Sequence, residues 1–174
     1  MADIELWIAG LTSGTAIIAS WVTSRGHTRA ARDRVRLEAA AQRDERRREI
    51  RRVAYLDLIT HTQDQRKILW AIRDAHKSPV PEERATVLHE QLAAAREAYD
   101  TFVRLMQVVS LEGPSQVAEC AESMRAPLAL ARREVQSLAE ARSHSLQALE
   151  HLNLEIHTAL LGFISEANKA LNSM

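Results

Sequence analysis

The chain has 174 residues, enough for one domain with its own core plus appendages and too few for two comfortable domains. Five glycines, four prolines, 4% aromatics and few β-branched runs exclude a sheet-based fold and predict an all-α one; a lone cysteine, Cys120, excludes an intramolecular disulfide and demands no oxidising compartment. The formal net charge of zero conceals a block: residues 25–52 carry eleven arginines and a local net charge of +6, residues 53–174 carry −4, and residues 1–24 hold only Asp3 and Glu5.

The longest run without a charged side chain, LWIAGLTSGTAIIASWVTS, covers residues 6–24. At ~1.5 Å rise per residue, a helix over residues 4–23 extends ~30 Å, about one hydrocarbon thickness, so the run is expected to be a transmembrane helix. Trp7 and Trp21 stand near its two ends, where indoles favour the headgroup boundary. Acidic residues precede it, and Arg25, Arg29, Arg32, Arg34 and Arg36 follow. By the positive-inside rule this orients the N-terminus outward and the rest of the chain into the cytoplasm, at the inner membrane. The same arginines are placed to contact anionic lipid headgroups, at ~1 kcal/mol each.

A cleaved signal peptide starts basic and ends small-x-small; here the start is acidic and ASWVTSRG is a poor cleavage site. The competing reading is a soluble helix made polar by Thr12, Ser13, Thr15 and Ser20, and it has to carry two glycines at ~1 kcal/mol each relative to alanine. Gly10 and Gly14 form a G-x-x-x-G pair that Ala9, Ser13, Ala16 and Ser20 continue. Such a small face lets two helices approach closely in lipid and predicts a homo-oligomer.

Residues 25–52 contain no proline and are rich in helix formers, which predicts a helix continuing from the span as a basic stalk over residues 25–49. Val35, Leu37, Ala40 and Ala41 do not sustain a heptad seam, so no tight coiled coil is expected there. Five carboxylates interrupt the arginines and no recognition fold adjoins them, which argues for a solvated stalk over a nucleic-acid grip.

Beyond the stalk, apolar residues recur at spacings of three and four in four successive segments. The first, residues 50–76, aligns Tyr55, Leu58, Ile59, Thr62, Leu69 and Ile72. The second, 82–111, opens after Pro81 and aligns Leu88, Leu92, Ala95, Tyr99, Phe102, Met106 and Val109. The third, 115–141, aligns Val117, Ala121, Met124, Leu128, Ala131, Val135 and Leu138, with a kink expected at Pro127. The fourth, 145–172, aligns Leu149, Leu152, Ile156, Leu160, Phe163 and Ala167, after a turn placed in ARSHSLQ with Ser143 and Ser145 as caps. Equal lengths and short links predict an up-down-up-down four-helix bundle over residues 50–174.

Chemistry is scarce. No Glu-x-x-His pair offers a di-iron site, and the zinc motif begun by His89 and Glu90 fails at Ala93. His144, His151, Glu155 and His157 cluster late in the chain and read as surface residues; His151 and Glu155 share a face. Cys120 reads as a small buried side chain, and Trp70 as core in preference to an exposed partner anchor. No phosphate loop, serine elbow or kinase signature occurs, so no enzyme activity, cofactor, metal or small-molecule substrate is expected.

The N-terminal span, the stretch RRVAYLDLI, the turn VVSLEGPSQVAECA, and an arginine-to-lysine ratio of 20 to 3 resemble small single-pass membrane-anchored helical proteins of high-GC Gram-positive bacteria. The resemblance implies the architecture and no activity. The expected function is a non-enzymatic interaction or scaffold protein that presents a cytoplasmic bundle to a protein partner or to its own copies. Two alternatives stand beside it: an effector that oligomerises through its transmembrane helix, and a soluble helical protein that uses the arginine-rich helix on nucleic acid.

Overall fold

The computed structural model describes residues 2–77, 81–140 and 146–173, with side chains of the first helix described from Arg34 onward. Among these residues the chain is all-helical and contains no strand. The elements are α1 (Ala2–His76), α2 (Pro81–Glu112), α3 (Ser115–Ser123), α4 (Arg125–Ala139) and α5 (Leu146–Asn172). The chain divides into two units, Met1–Arg46 and Arg47–Met174.

In the first unit, side chains from Arg34 to Arg46 are exposed apart from half-buried Ala39; even Val35 and Leu37 stand 64% and 71% exposed. Isolated apolar residues among charges have no second face to meet, so this stretch is a solvated helix held by its own backbone bonds. Among the described residues no helix is long and apolar enough to cross a membrane. The expected transmembrane run itself lies outside the residues whose side chains are described.

The second unit holds the core. Every position of the third and fourth stripes is buried, and so are Leu88, Leu92, Phe102, Met106 and Val109 of α2 and Tyr55, Leu58, Thr62, Leu69 and Ile72 of α1. Helix α2 packs against α3 and α4, and these two pack against α5. The distal part of α1 joins both α2 and α5: His61 Nε2 and Gln65 Nε2 both donate to the Ala98 carbonyl, and the Tyr55 ring meets Phe163 edge-on at 5.8 Å. Burying each large apolar side chain contributes about 1.5–3 kcal/mol, which makes these stripes the main source of stability.

Two local devices shape the unit. At the end of α2, the Gly113 N–H donates to Val109 O at 2.8 Å and Arg51 Nε donates to the Glu112 carbonyl at 2.6 Å, satisfying carbonyls that a helix C-terminus leaves bare. A Cβ on Gly113 would fall 2.8 Å from the Tyr55 hydroxyl and 2.9 Å from Val109 O, so the close approach of α1 requires glycine there. The expected kink in the third stripe is a one-residue interruption at Met124, three residues before Pro127. Pro127 has no N–H for the Ser123 carbonyl and its ring crowds that oxygen, so the helix yields upstream. The Met124 N–H turns to Ala121 O at 3.2 Å, and the Leu128 N–H resumes with Met124 O at 3.2 Å. The buried stripe passes through unbroken. The ARSHSLQ turn with Ser143 and Ser145 falls largely outside the described residues.

Candidate functional site: a groove between α1 and α5

Helices α1 and α5 run antiparallel, because Arg66 reaches Asn153 and His157 whereas Arg73, further along α1, reaches Glu150 earlier in α5. Between them lies a groove of about 360 Å³ lined by Arg66, Trp70, Arg73, Glu150, Asn153 and Leu154. The spacing makes it. Positions 66, 70 and 73 stack on one face of α1, and 150, 153 and 154 on one face of α5.

Asn153 forms the floor, 3% exposed although it carries an amide. Its Oδ1 accepts from Arg66 Nε at 2.8 Å, so the buried oxygen is satisfied and the guanidinium is locked in place. Arg66 Nη1 also lies 3.0 Å from His157 Nδ1. Arginine only donates, so this contact assigns the lone pair to Nδ1 and the ring proton to Nε2. At the upper end Arg73 lies over the Trp70 ring, its guanidinium carbon 3.8 Å from the centroid. It pairs with Asp74 at 2.7 Å and approaches Glu150 at 3.9 Å across the groove.

Trp70 is 39% exposed, which corrects its reading as core: the α1 residues that face inward at this level are Leu69 and Ile72, and the indole is left against solvent and Arg73. A second, smaller cavity of about 20 Å³ lies inside the unit against Gln65, Tyr99 and Leu128, room for one water.

The groove offers donors, an aromatic face and an exposed leucine, but no nucleophile poised on a base. Among the described residues no three His, Cys, Asp or Glu side chains converge on a metal position. The exposed His151 and Glu155 pair at 3.1 Å, as their spacing predicts. Cys120 is half-buried beside the core, and burial, with Glu166 and Glu119 nearby, raises its thiol above the usual range. Tryptophan and arginine are the side chains that most often carry protein interfaces, and the groove presents both.

No family model, curated protein or solved structure matches the chain.

Of the residues singled out in the sequence, Ala9, Gly10, Ser13, Gly14, Ala16 and Ser20, the interfacial Trp7 and Trp21, and Arg25, Arg29 and Arg32 lie outside the side chains described. Arg34 and Arg36 are described and exposed. The groove residues Arg66, Asn153 and His157 were not singled out as a group. The available signal was Asn153, a lone amide between Leu152 and Leu154 that falls on the buried face.

Proposed function

We propose that this chain is a membrane-anchored, non-enzymatic helical interaction protein. Residues 4–23 span the inner membrane with the N-terminus outside, residues 25–49 form a solvated basic stalk, and α1 beyond the stalk joins α2, α3–α4 and α5 in an up-down-up-down bundle facing the cytoplasm. The carrying observation is the charge-free run of residues 6–24 followed at once by eleven arginines in residues 25–52, an asymmetry that supports both the span and its orientation. The α1–α5 groove, with its Trp70 and arginines, is the surface best suited to a protein partner or a further copy.

Fractionation of the full chain beside a version starting at residue 26, each then sized, tests this reading. The full chain is expected in the membrane fraction and the shortened one in the supernatant. Equal partitioning of the two refutes the anchor. The small face of residues 9–20 favours a second reading, an effector that oligomerises in the bilayer and permeabilises it; toxicity on expression that Gly10→Leu with Gly14→Leu abolishes would select it.

A further inference from the structure

We infer that the α1–α5 seam is a homodimer interface, closed by a second copy lying side by side in the same orientation. This rests on the membrane-anchored reading, which sets the two copies parallel, and it adds to that reading the surface and the partner.

The groove is one end of a longer exposed strip. One heptad along α5 carries Leu154 to Leu161, and two heptads back along α1 carry Trp70 through Gln63 to Leu56. Leu56, Trp70, Leu154 and Leu161 are 50%, 39%, 62% and 54% exposed, on the two helices that flank a single seam. Half-buried Ile59 and Ile164 lie between them and tie the strip to the core. Together the four exposed side chains leave on the order of 400 Å² of apolar surface, comparable to the largest patch of a single chain, which is often functional. Two copies contribute roughly 800 Å², close to the apolar share of a standard interface of about 1,600 Å².

The strip also complements itself. The contacts Tyr55 with Phe163, Arg66 with Asn153, and Arg73 with Glu150 place each α1 residue level with a known α5 residue. A two-fold axis along the seam lays α1 of one copy over α5 of the other at those same levels. Trp70 then meets Leu154 of the second copy, Leu56 meets Leu161, and Arg73 meets Glu150. Apolar positions face apolar ones and the cation faces an anion. The Arg73 to Glu150 approach within one chain is only 3.9 Å, so both groups retain capacity for such a partner.

The test is the mass of the full chain in detergent micelles, measured by light scattering with the detergent subtracted. Wild type is expected at twice 19.5 kDa, and Leu154→Lys with Leu161→Lys at once that mass with helicity unchanged. Leu111→Lys, which alters an equally apolar residue 83% exposed at the end of α2, keeps the dimer. Arg73→Glu weakens it at least tenfold, and adding Glu150→Arg restores it.

A single-chain mass for wild type overturns the inference. So does a dimer that survives both lysines, or one that is lost only with Gly10→Leu and Gly14→Leu, which would place the contact in the span. Membrane fractionation of the same variants keeps the two readings apart. A monomer that still sediments with membranes defeats the dimer alone, and a dimer that stays in the supernatant defeats the anchor alone.

Discussion

Tyr55→Phe removes one oxygen from the core and is expected to stabilise the protein. Tyr55 is 1% exposed and its hydroxyl has no hydrogen-bond partner among the described residues, lodged instead against Gly113. An unpaired buried hydroxyl costs about 1–3 kcal/mol. Phenylalanine relieves that cost, keeps the edge-on contact with Phe163, and leaves a void of roughly 15 Å³ worth about 0.4 kcal/mol. The net gain is about 1 kcal/mol, a rise in Tm of roughly 2–4 °C for a chain of this size.

The same hydroxyl sets a pH dependence. Burial raises the Tyr55 phenol above its usual 10.0, against a smaller opposing effect of Arg51. The unfolded chain therefore loses this proton first as pH rises, so the stability held below pH 10.0 declines above it. Tyr55→Phe lacks that share of the alkaline loss. Urea unfolding of the full chain in micelles, followed by circular dichroism at neutral pH and again above pH 10, reads both effects. A variant destabilised by about 1 kcal/mol or more at neutral pH would show that the hydroxyl is bonded, and would refute the reasoning.

Gly113→Ala drives a methyl into the Tyr55 hydroxyl and the Val109 carbonyl and is expected to cost about 1–3 kcal/mol, less when combined with Tyr55→Phe; a double-mutant cycle of urea midpoints checks both. Asn153→Ala strips Arg66 of its buried acceptor, and the loss of a charge-assisted bond lowers stability by about 1.5–3 kcal/mol in the same assay. The Cys120 thiol, held up chiefly by burial, is expected to react more slowly with iodoacetamide at pH 8 than the same thiol in urea, as the time course of adduct formation in mass spectra will report.

The helical stripes were readable because burial imposes a period of 3.6, and a residue such as Val135 or Ile156 announces its face through its neighbours three and four positions away. Pro127 was readable for a different reason, a backbone constraint that no tertiary contact cancels, whereas the need for glycine at 113 comes from the approach of Tyr55 on another helix and is not legible in the sequence. The groove was not legible. Whether Trp70 faces the core depends on which of Leu69, Trp70 and Ile72 the neighbouring helices accept, a competition settled by packing between distant segments. Gln65 and Asn153 are buried because each found a partner more than thirty residues away, Ala98 and Arg66, and pattern alone assigns such amides to the surface. The small face and the tryptophans of the expected span fall outside the described side chains, so their roles rest on the sequence and on experiment.

The central claim is that residues 4–23 lie within a bilayer, and the most direct measurement is the resistance of the full chain to extraction from membranes by alkaline carbonate. Placing arginine at both Thr12 and Thr15, which flank mid-span, adds about 5–7 kcal/mol to insertion. Wild type is expected to remain in the pellet and the double variant to enter the supernatant with its helicity intact. A wild-type chain that carbonate releases, or that needs no detergent to stay dispersed, would contradict the account.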